Sequence, residues 1–111
     1  MIIDFNSIEQ QAIDRFKDGN GQLLTRNFVD SENKIMMSRL APKSNIGYHS
    51  HDENSEVMYF FSGKGHVDYD GGHEDVKAGT VHYCPKGHSH ALYNDSDSEE
   101  LIYFAIVGEH H

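Results

Sequence analysis

The segment Gly47-Tyr48-His49-Ser50-His51-Asp52-Glu53-Asn54-Ser55-Glu56 restricts the fold of this chain more than any other stretch. Successive residues of a β-strand alternate faces, so His49 and His51 present two imidazoles side by side when the backbone there is extended. Glu56 returns beside them if the chain bends and pairs as the next strand. Strand, bend, strand is therefore the local plan that gathers two nitrogens and a carboxylate oxygen. That donor set suits Fe, Mn, Ni, Co, Cu or Zn. Taken alone, a His-x-His pair also reads as two solvated histidines on a polar loop.

A second cluster lies downstream, from Gly79 to Asn94. Gly79 reads as a turn and Val81 to Cys84 as a short strand. Pro85-Lys86-Gly87 is a turn signal, because Pro presets φ and Gly accepts φ > 0. The chain then runs extended through His90 and Leu92, so His90 can arrive as a fourth ligand from a distant strand.

Together the two clusters resemble the motifs of the cupin superfamily. The first motif is written G-x5-H-x-H-x3,4-E-x6-G, and His49, His51, Glu56 and Gly63 fall at its spacings. The second is G-x5-P-x-G-x2-H-x3-N, matched at every element by Gly79, Pro85, Gly87, His90 and Asn94. One position departs: the opening glycine of the first motif is replaced by Lys43, after Pro42. That residue shapes a turn and is not a ligand. The resemblance implies an all-β cupin jelly-roll barrel, one domain over residues 1–111 with its metal motifs at 43–63 and 79–94. It implies one divalent transition metal (Fe, Mn, Ni, Co, Cu or Zn) held by His49, His51, Glu56 and His90. It implies no single reaction. Cupins include dioxygenases, decarboxylases, sugar isomerases and epimerases, lyases and non-enzymatic binding proteins, and fold does not settle function.

Composition narrows the partners. A net charge of −9 argues against nucleic acid, whose phosphates demand a basic surface, and against docking on an anionic membrane. No apolar run approaches the roughly 20 residues that span a bilayer. The start, Met1-Ile2-Ile3-Asp4-Phe5-Asn6, lacks the regions of a signal peptide. Cys84 is the one cysteine, so no internal disulfide forms, and the expected location is the cytoplasm.

Along the chain, Ser7 and Gln10 stand at capping-box spacing, and Ile8, Ala12 and Phe16 share a face at helical spacing. These predict a short N-terminal helix over residues 8 to 17, stopped by Gly19-Asn20-Gly21. Strands are expected at Gln22 to Val29, Lys34 to Leu40, Val57 to Ser62, His66 to Tyr69, His73 to Val76 and Leu101 to Val107. Such short strands with regular turns suit a closed barrel or double-sheet jelly roll. If Glu56 faces inward, so do Met58 and Phe60, while Val57, Tyr59 and Phe61 face out. If His90 faces inward, so do Leu92 and Asn94; the Pro85 turn leaves the directions of His82 and Cys84 open.

Three imidazoles and a carboxylate leave one or two positions open on a metal that prefers five or six ligands, which is the catalytic type of site. Those positions can hold water, O2 or a bidentate hydroxy acid, enediol or diketone. No catalytic acid or base is fixed by the pattern; Tyr48, His82, His88 and Tyr93 are the candidates. Glu53 is a weaker alternative to Glu56, lacking its spacing to Gly63. Cys84 reads as a small wall residue, and Arg39 either meets a carboxylate or is solvated. His110 and His111 are set aside as terminal. The expected function is a small metalloenzyme of oxygenase or isomerase type acting on a small polar metabolite. The alternative is a metal-containing module that binds or senses a small molecule without turnover. Ile35, Met36, Met37 and Leu40 put apolar side chains on both faces of one strand, which predicts a homodimer.

Overall fold

The computed structural model describes residues 1–110, and His111 lies outside the described residues. Ten strands follow one another: β1 Gln11–Asp14, β2 Gln22–Val29, β3 Asn33–Leu40, β4 Asn45–Ser50, β5 Asn54–Ser62, β6 Lys64–Tyr69, β7 Gly72–Lys77, β8 Val81–Cys84, β9 Ser89–Asn94 and β10 Leu101–Glu109. They form two antiparallel sheets, ordered β1-β2-β3-β10-β5-β8 and β4-β9-β6-β7. The inner faces enclose a core that includes Leu40, Phe60, Val67, Leu92 and Leu101. This is the double-sheet jelly roll expected from the turn spacing.

The alternation in β5 decides what faces inward. Glu56, Met58 and Phe60 are buried, while Val57, Tyr59 and Phe61 are exposed, as the strand period requires. His90, Leu92 and Asn94 on β9 are likewise buried. The phase left open at the Pro85 turn resolves inward for both His82 and Cys84. The β6–β7 hairpin turns at Asp70 and Gly71, whose φ values of 49° and 81° suit the primed turns that match strand twist.

The expected helix over residues 8 to 17 is absent. In its place stand a 3-10 turn at Phe5–Ser7, strand β1, and a second 3-10 turn at Phe16–Asp18. Asp4, not Ser7, caps the first turn, accepting from Asn6 N. Ten residues is short for a helix in water, and nucleation is costly. Here Ala12 and Ile13 instead extend the six-stranded sheet by pairing with Leu24 and Leu23. Arg15, Lys17 and Asp18 all take left-handed φ, between 52° and 63°, which no helix tolerates.

Lys43 explains the departure from the glycine of the first motif. Its φ is 58°, the left-handed region that glycine enters freely. The lysine is held there by its N–H to Ser96 O at 3.0 Å and its Nζ to Asp95 O at 3.3 Å. The turn survives without the glycine. Asn94, the last element of the second motif, is a strut: its amide donates to Leu40 O, Ala41 O and Glu99 O, while its Oδ1 accepts from Ser96 N.

Candidate metal centre

Three strands bring the four expected residues together. β4 carries His49 and runs out at Ser50, so His51 sits at its end; β5 carries Glu56 and β9 carries His90. His49 pairs directly with His90 across the β4–β9 ladder. One side-chain donor atom from each of the four residues lies within 4.8 Å of the others. His51 Nε2 and His90 Nε2 are 3.0 Å apart, and Glu56 Oε1 lies 3.2 Å from the first and 3.1 Å from the second.

Each imidazole is held from behind. His49 Nδ1 donates to the Gly47 carbonyl at 2.7 Å, and His51 Nδ1 donates to Asn54 Oδ1. His90 Nδ1 lies 3.0 Å from His82 Nε2, and His82 Nδ1 lies 3.4 Å from Glu74 Oε1. Hydrogen bonds at Nδ1 select the tautomer that leaves Nε2 a lone pair for the centre, an arrangement typical of metal-binding histidines. The donor chemistry and the rear anchoring thus fit a divalent first-row ion.

The charges respond to confinement. Burial lowers His49 to about 4, with the neighbouring imidazoles of His90 and His51 adding to it, against the raising effect of the Gly47 bond. Burial alone would raise Glu56, but hydrogen bonds from His51 and His90 override it and hold the carboxyl down at about 2. Burial opposes charge on His51 too, yet its bonds to Glu56 and Asn54 leave it raised. Glu56 is therefore an anion at neutral pH and the natural seat of positive charge. Cys84, opposite Glu56 in the β5–β8 ladder, is pushed up to about 12 by burial, so its thiol stays protonated and inert.

The four residues lie in the wall of a cavity of about 360 Å³. Its other walls are mostly apolar, among them Leu23, Ile46, Met58 and Leu92. Two cations, Lys17 and Lys34, and three exposed carboxylates, Asp30, Asp52 and Glu109, also line it, and the lysine Nζ atoms sit 5.5 and 5.9 Å from the centre of the Phe16 ring. Lys17 is placed by a close backbone approach. The 3-10 turn at Phe16–Asp18 lies so near β4 that a Cβ on Gly47 would overlap the Lys17 carbonyl. The sequence reading overlooked both lysines. The Gly19-Asn20-Gly21 run beside Lys17 marked only the end of the expected helix, and nothing local signalled which strand the chain would touch there.

The four acid–base candidates do not line this cavity. His82 is buried behind His90. His88 is paired with Asp70, Tyr93 stacks on His66, and Tyr48 is exposed. Glu53 is exposed and outside the cluster. Arg39 meets the Glu100 carboxylate at 3.5 Å and Gln10 Oε1 at 3.1 Å, on the protein's own surface. His110 bonds to Ser55 Oγ through its ring.

Comparison with known proteins agrees with this architecture. The sequence profile of the cupin domain matches residues 36–107, and the chain belongs to that family. An "Oxalate-binding protein" of Thermotoga maritima is 26% identical over 113 residues, covering 96% of this chain and 93% of its relative. A crystal structure described as a "predicted oxalate decarboxylase" from the same organism superposes with a TM-score of 0.89 at 23% identity, over 98% of this chain and 99% of the other. An RmlC-like cupin from Shewanella frigidimarina gives 0.78 at 19% identity, over 94% and 86% of the two chains. Among the described residues no helix is long and apolar enough to cross a membrane.

Proposed function

We propose that this cupin binds one divalent transition metal through His49, His51, Glu56 and His90, and uses it to capture a small carboxylate-bearing anion such as oxalate. The observation that carries the reading is the pairing of the four-donor cluster with Lys17 and Lys34 in one cavity. A bound metal would supply open positions to a bidentate carboxylate and polarise its oxygens. The lysines would offset the charge left on a dianion, and the apolar walls would exclude larger polar solutes. The oxalate-binding relative supports the ligand class.

The binding role is preferred to turnover for a specific reason. Proton-transfer chemistry needs a base within about 3 Å of the bound substrate. None of Tyr48, His82, His88 and Tyr93 lines the cavity. Tyr103, which does, has its hydroxyl raised by burial far from neutral pH, and the other carboxylates of the wall, Asp30, Asp52 and Glu109, are exposed and outside the four-donor cluster. Oxygenase or isomerase activity is the alternative.

The test is calorimetric titration with oxalate of protein loaded in turn with Mn2+, Fe2+, Co2+, Ni2+ and Zn2+. Saturable binding with at least one metal is expected, abolished in His49→Ala/His90→Ala. Lys17→Met/Lys34→Met should weaken it about tenfold or more while leaving metal content unchanged. Equal oxalate affinity in metal-loaded and chelated protein would overturn the reading. Catalytic loss of oxalate, with or without O2, would favour the enzyme.

We further propose a homodimer built on the outer face of the larger sheet. The β-ladders align Ile35, Ile106, Val57 and Tyr83 in one row and Met37, Phe104, Tyr59 and Val81 in the next. Val57, Tyr59, Val81 and Tyr83 remain between 39% and 57% exposed, an apolar patch that a second copy would cover. Sedimentation should give a dimer that Tyr59→Lys/Tyr83→Lys dissociates; a wild-type monomer at micromolar concentration would refute it. The single buried thiol supports a cytoplasmic location.

A further inference from the structure

A second group of histidines lies on the opposite side of the smaller sheet from the cavity. In the β6–β7 ladder His66 pairs with Asp75 and Asp68 with His73. All four therefore project from one face, while Val67 and Val76 turn into the core.

The geometry of this patch repeats the logic of the buried centre. His66 Nδ1 is bound by the Asp95 carboxylate at 2.9 and 3.0 Å. His73 Nε2 is bound by Asp75 Oδ1 at 3.0 Å. Each ring thus has one N–H fixed by a carboxylate, which sets its tautomer and leaves the other nitrogen basic. Those remaining nitrogens lie near one atom, Asp68 Oδ1, His66 Nε2 at 4.0 Å and His73 Nδ1 at 3.8 Å, and a turn of the exposed His73 ring, now stacked at 25° to His66, would bring both lone pairs onto one ion. Both separations are too long for hydrogen bonds. They fall within the spacings of donors around one ion, because ligands about 2.1 Å from a metal stand about 3.0 Å apart at right angles, about 3.4 Å at the tetrahedral angle and about 4.2 Å when opposed. His66 is further immobilised by stacking on Tyr93, with centroids 4.5 Å apart and planes 7° apart, and it stacks on His73 at 4.5 Å.

We infer that His66, Asp68 and His73 form a second transition-metal site, independent of the buried centre and completed by solvent. Two imidazoles and a carboxylate select a borderline ion such as Zn2+, Ni2+ or Cu2+ over Mg2+ or Ca2+, which prefer all-oxygen shells. Asp75 and Asp95 orient the rings and add negative charge, in a chain whose net charge is −9. Partial exposure of His66, Asp68 and His73 leaves one side open to water or to a donor from another molecule. The site is therefore suited to reversible loading from solution, and it is weaker than the enclosed centre.

The experiment is a Zn2+ titration, against a chromophoric chelator, of protein whose buried centre is already filled. A second equivalent is expected per chain. His73→Ala and, separately, Asp68→Asn should each lower its affinity about tenfold or more with the first equivalent retained. His49→Ala/His90→Ala should lose the first equivalent and keep the second, so failure at the buried centre is distinguished from failure here. Replacing His110 and His111 by Ser should leave the second equivalent in place. The inference is overturned if filled wild-type protein takes no second Zn2+, if His73→Ala and Asp68→Asn bind it as tightly as wild type, or if the His110/His111 replacement removes it.

Discussion

His82 Nε2 lies 3.0 Å from His90 Nδ1, on the side of the His90 ring turned away from the four-donor cluster. Both side chains are buried, and the far nitrogen of His82 reaches Glu74, a residue on the neighbouring sheet. A candidate ligand, a second imidazole and a carboxylate thus form a line from the cavity to the protein surface. Burial and the neighbouring His90 lower His82, so it is neutral at pH 7 and can accept the His90 proton as a hydrogen bond. That contact places His82 where it would orient the His90 ring.

His82→Ala is expected to reduce metal affinity about 10- to 100-fold, the usual cost of losing a partner behind a ligand. His82→Gln, which keeps an acceptor, should recover part of it. Chelator competition measures both. If the alanine variant binds metal as wild type does while its metal-free form melts lower, His82 is a packing residue only.

Gly47→Ala tests the approach of the Phe16–Asp18 turn to β4. The added methyl would lie 2.8 Å from Lys17 C and 2.9 Å from Gly19 N, all backbone atoms that cannot swing aside. Overpacking of this kind costs about 1–3 kcal/mol. Gly108→Ala is the control, since its nearest neighbour would be 3.4 Å away. Urea denaturation should separate the two, and Gly47→Ala should also weaken metal binding through the His49 bond to Gly47 O. Equal stability of the two variants would refute the constraint.

The pH dependence follows from the sign of each shift in metal-free protein. His49 is lowered from 6.5 to about 4, so the unfolded chain binds the proton more tightly. Its contribution is present above pH 6.5 and is lost as pH falls toward 4. Glu56, lowered from 4.5 to about 2, loses its contribution over the next interval down. His51, raised, acts in the opposite sense and stabilises below pH 6.5. His49→Gln should therefore flatten the fall in Tm between pH 6.5 and 4 in chelated protein. A slope identical to wild type would show that His49 does not titrate as described.

Metal adds a second pH effect, because protonated imidazole does not bind. The Tm of metal-loaded protein should exceed that of chelated protein at pH 7.5, with the gap closing as pH drops toward 4.5. Equal Tm at pH 7.5 would mean that the metal does not couple to the fold.

Lys43→Gly should be neutral to stabilising by up to about 1 kcal/mol. A left-handed residue costs roughly 1–2 kcal/mol, offset in part by the greater unfolded-state freedom of glycine. The lysine side chain returns little, since its contacts with the Asp95 carbonyl and with Asp97 are both at the exposed surface. Lys43→Val should destabilise, as a β-branched residue tolerates φ of 58° poorly. Thermal melts rank the three, and a more stable valine variant would contradict the backbone argument.

The sequence by itself determined most of the strands and the inward residues of β5 and β9, because a period of two is a local property of extended chain. The four residues that meet, His49, His51, Glu56 and His90, were legible through the resemblance of their spacing to the two cupin motifs. Residues 8–17 had helical spacing yet became β1 and a 3-10 turn, because a sheet edge supplied backbone partners that a ten-residue helix lacks. Only the tertiary structure decided what stands behind and in front of the four donors. His82 and Glu74 come from β8 and β7, while Lys17 and Lys34 come from the other end of the chain. These contacts depend on how two sheets and a turn pack across space, and no local pattern of residues encodes that distance.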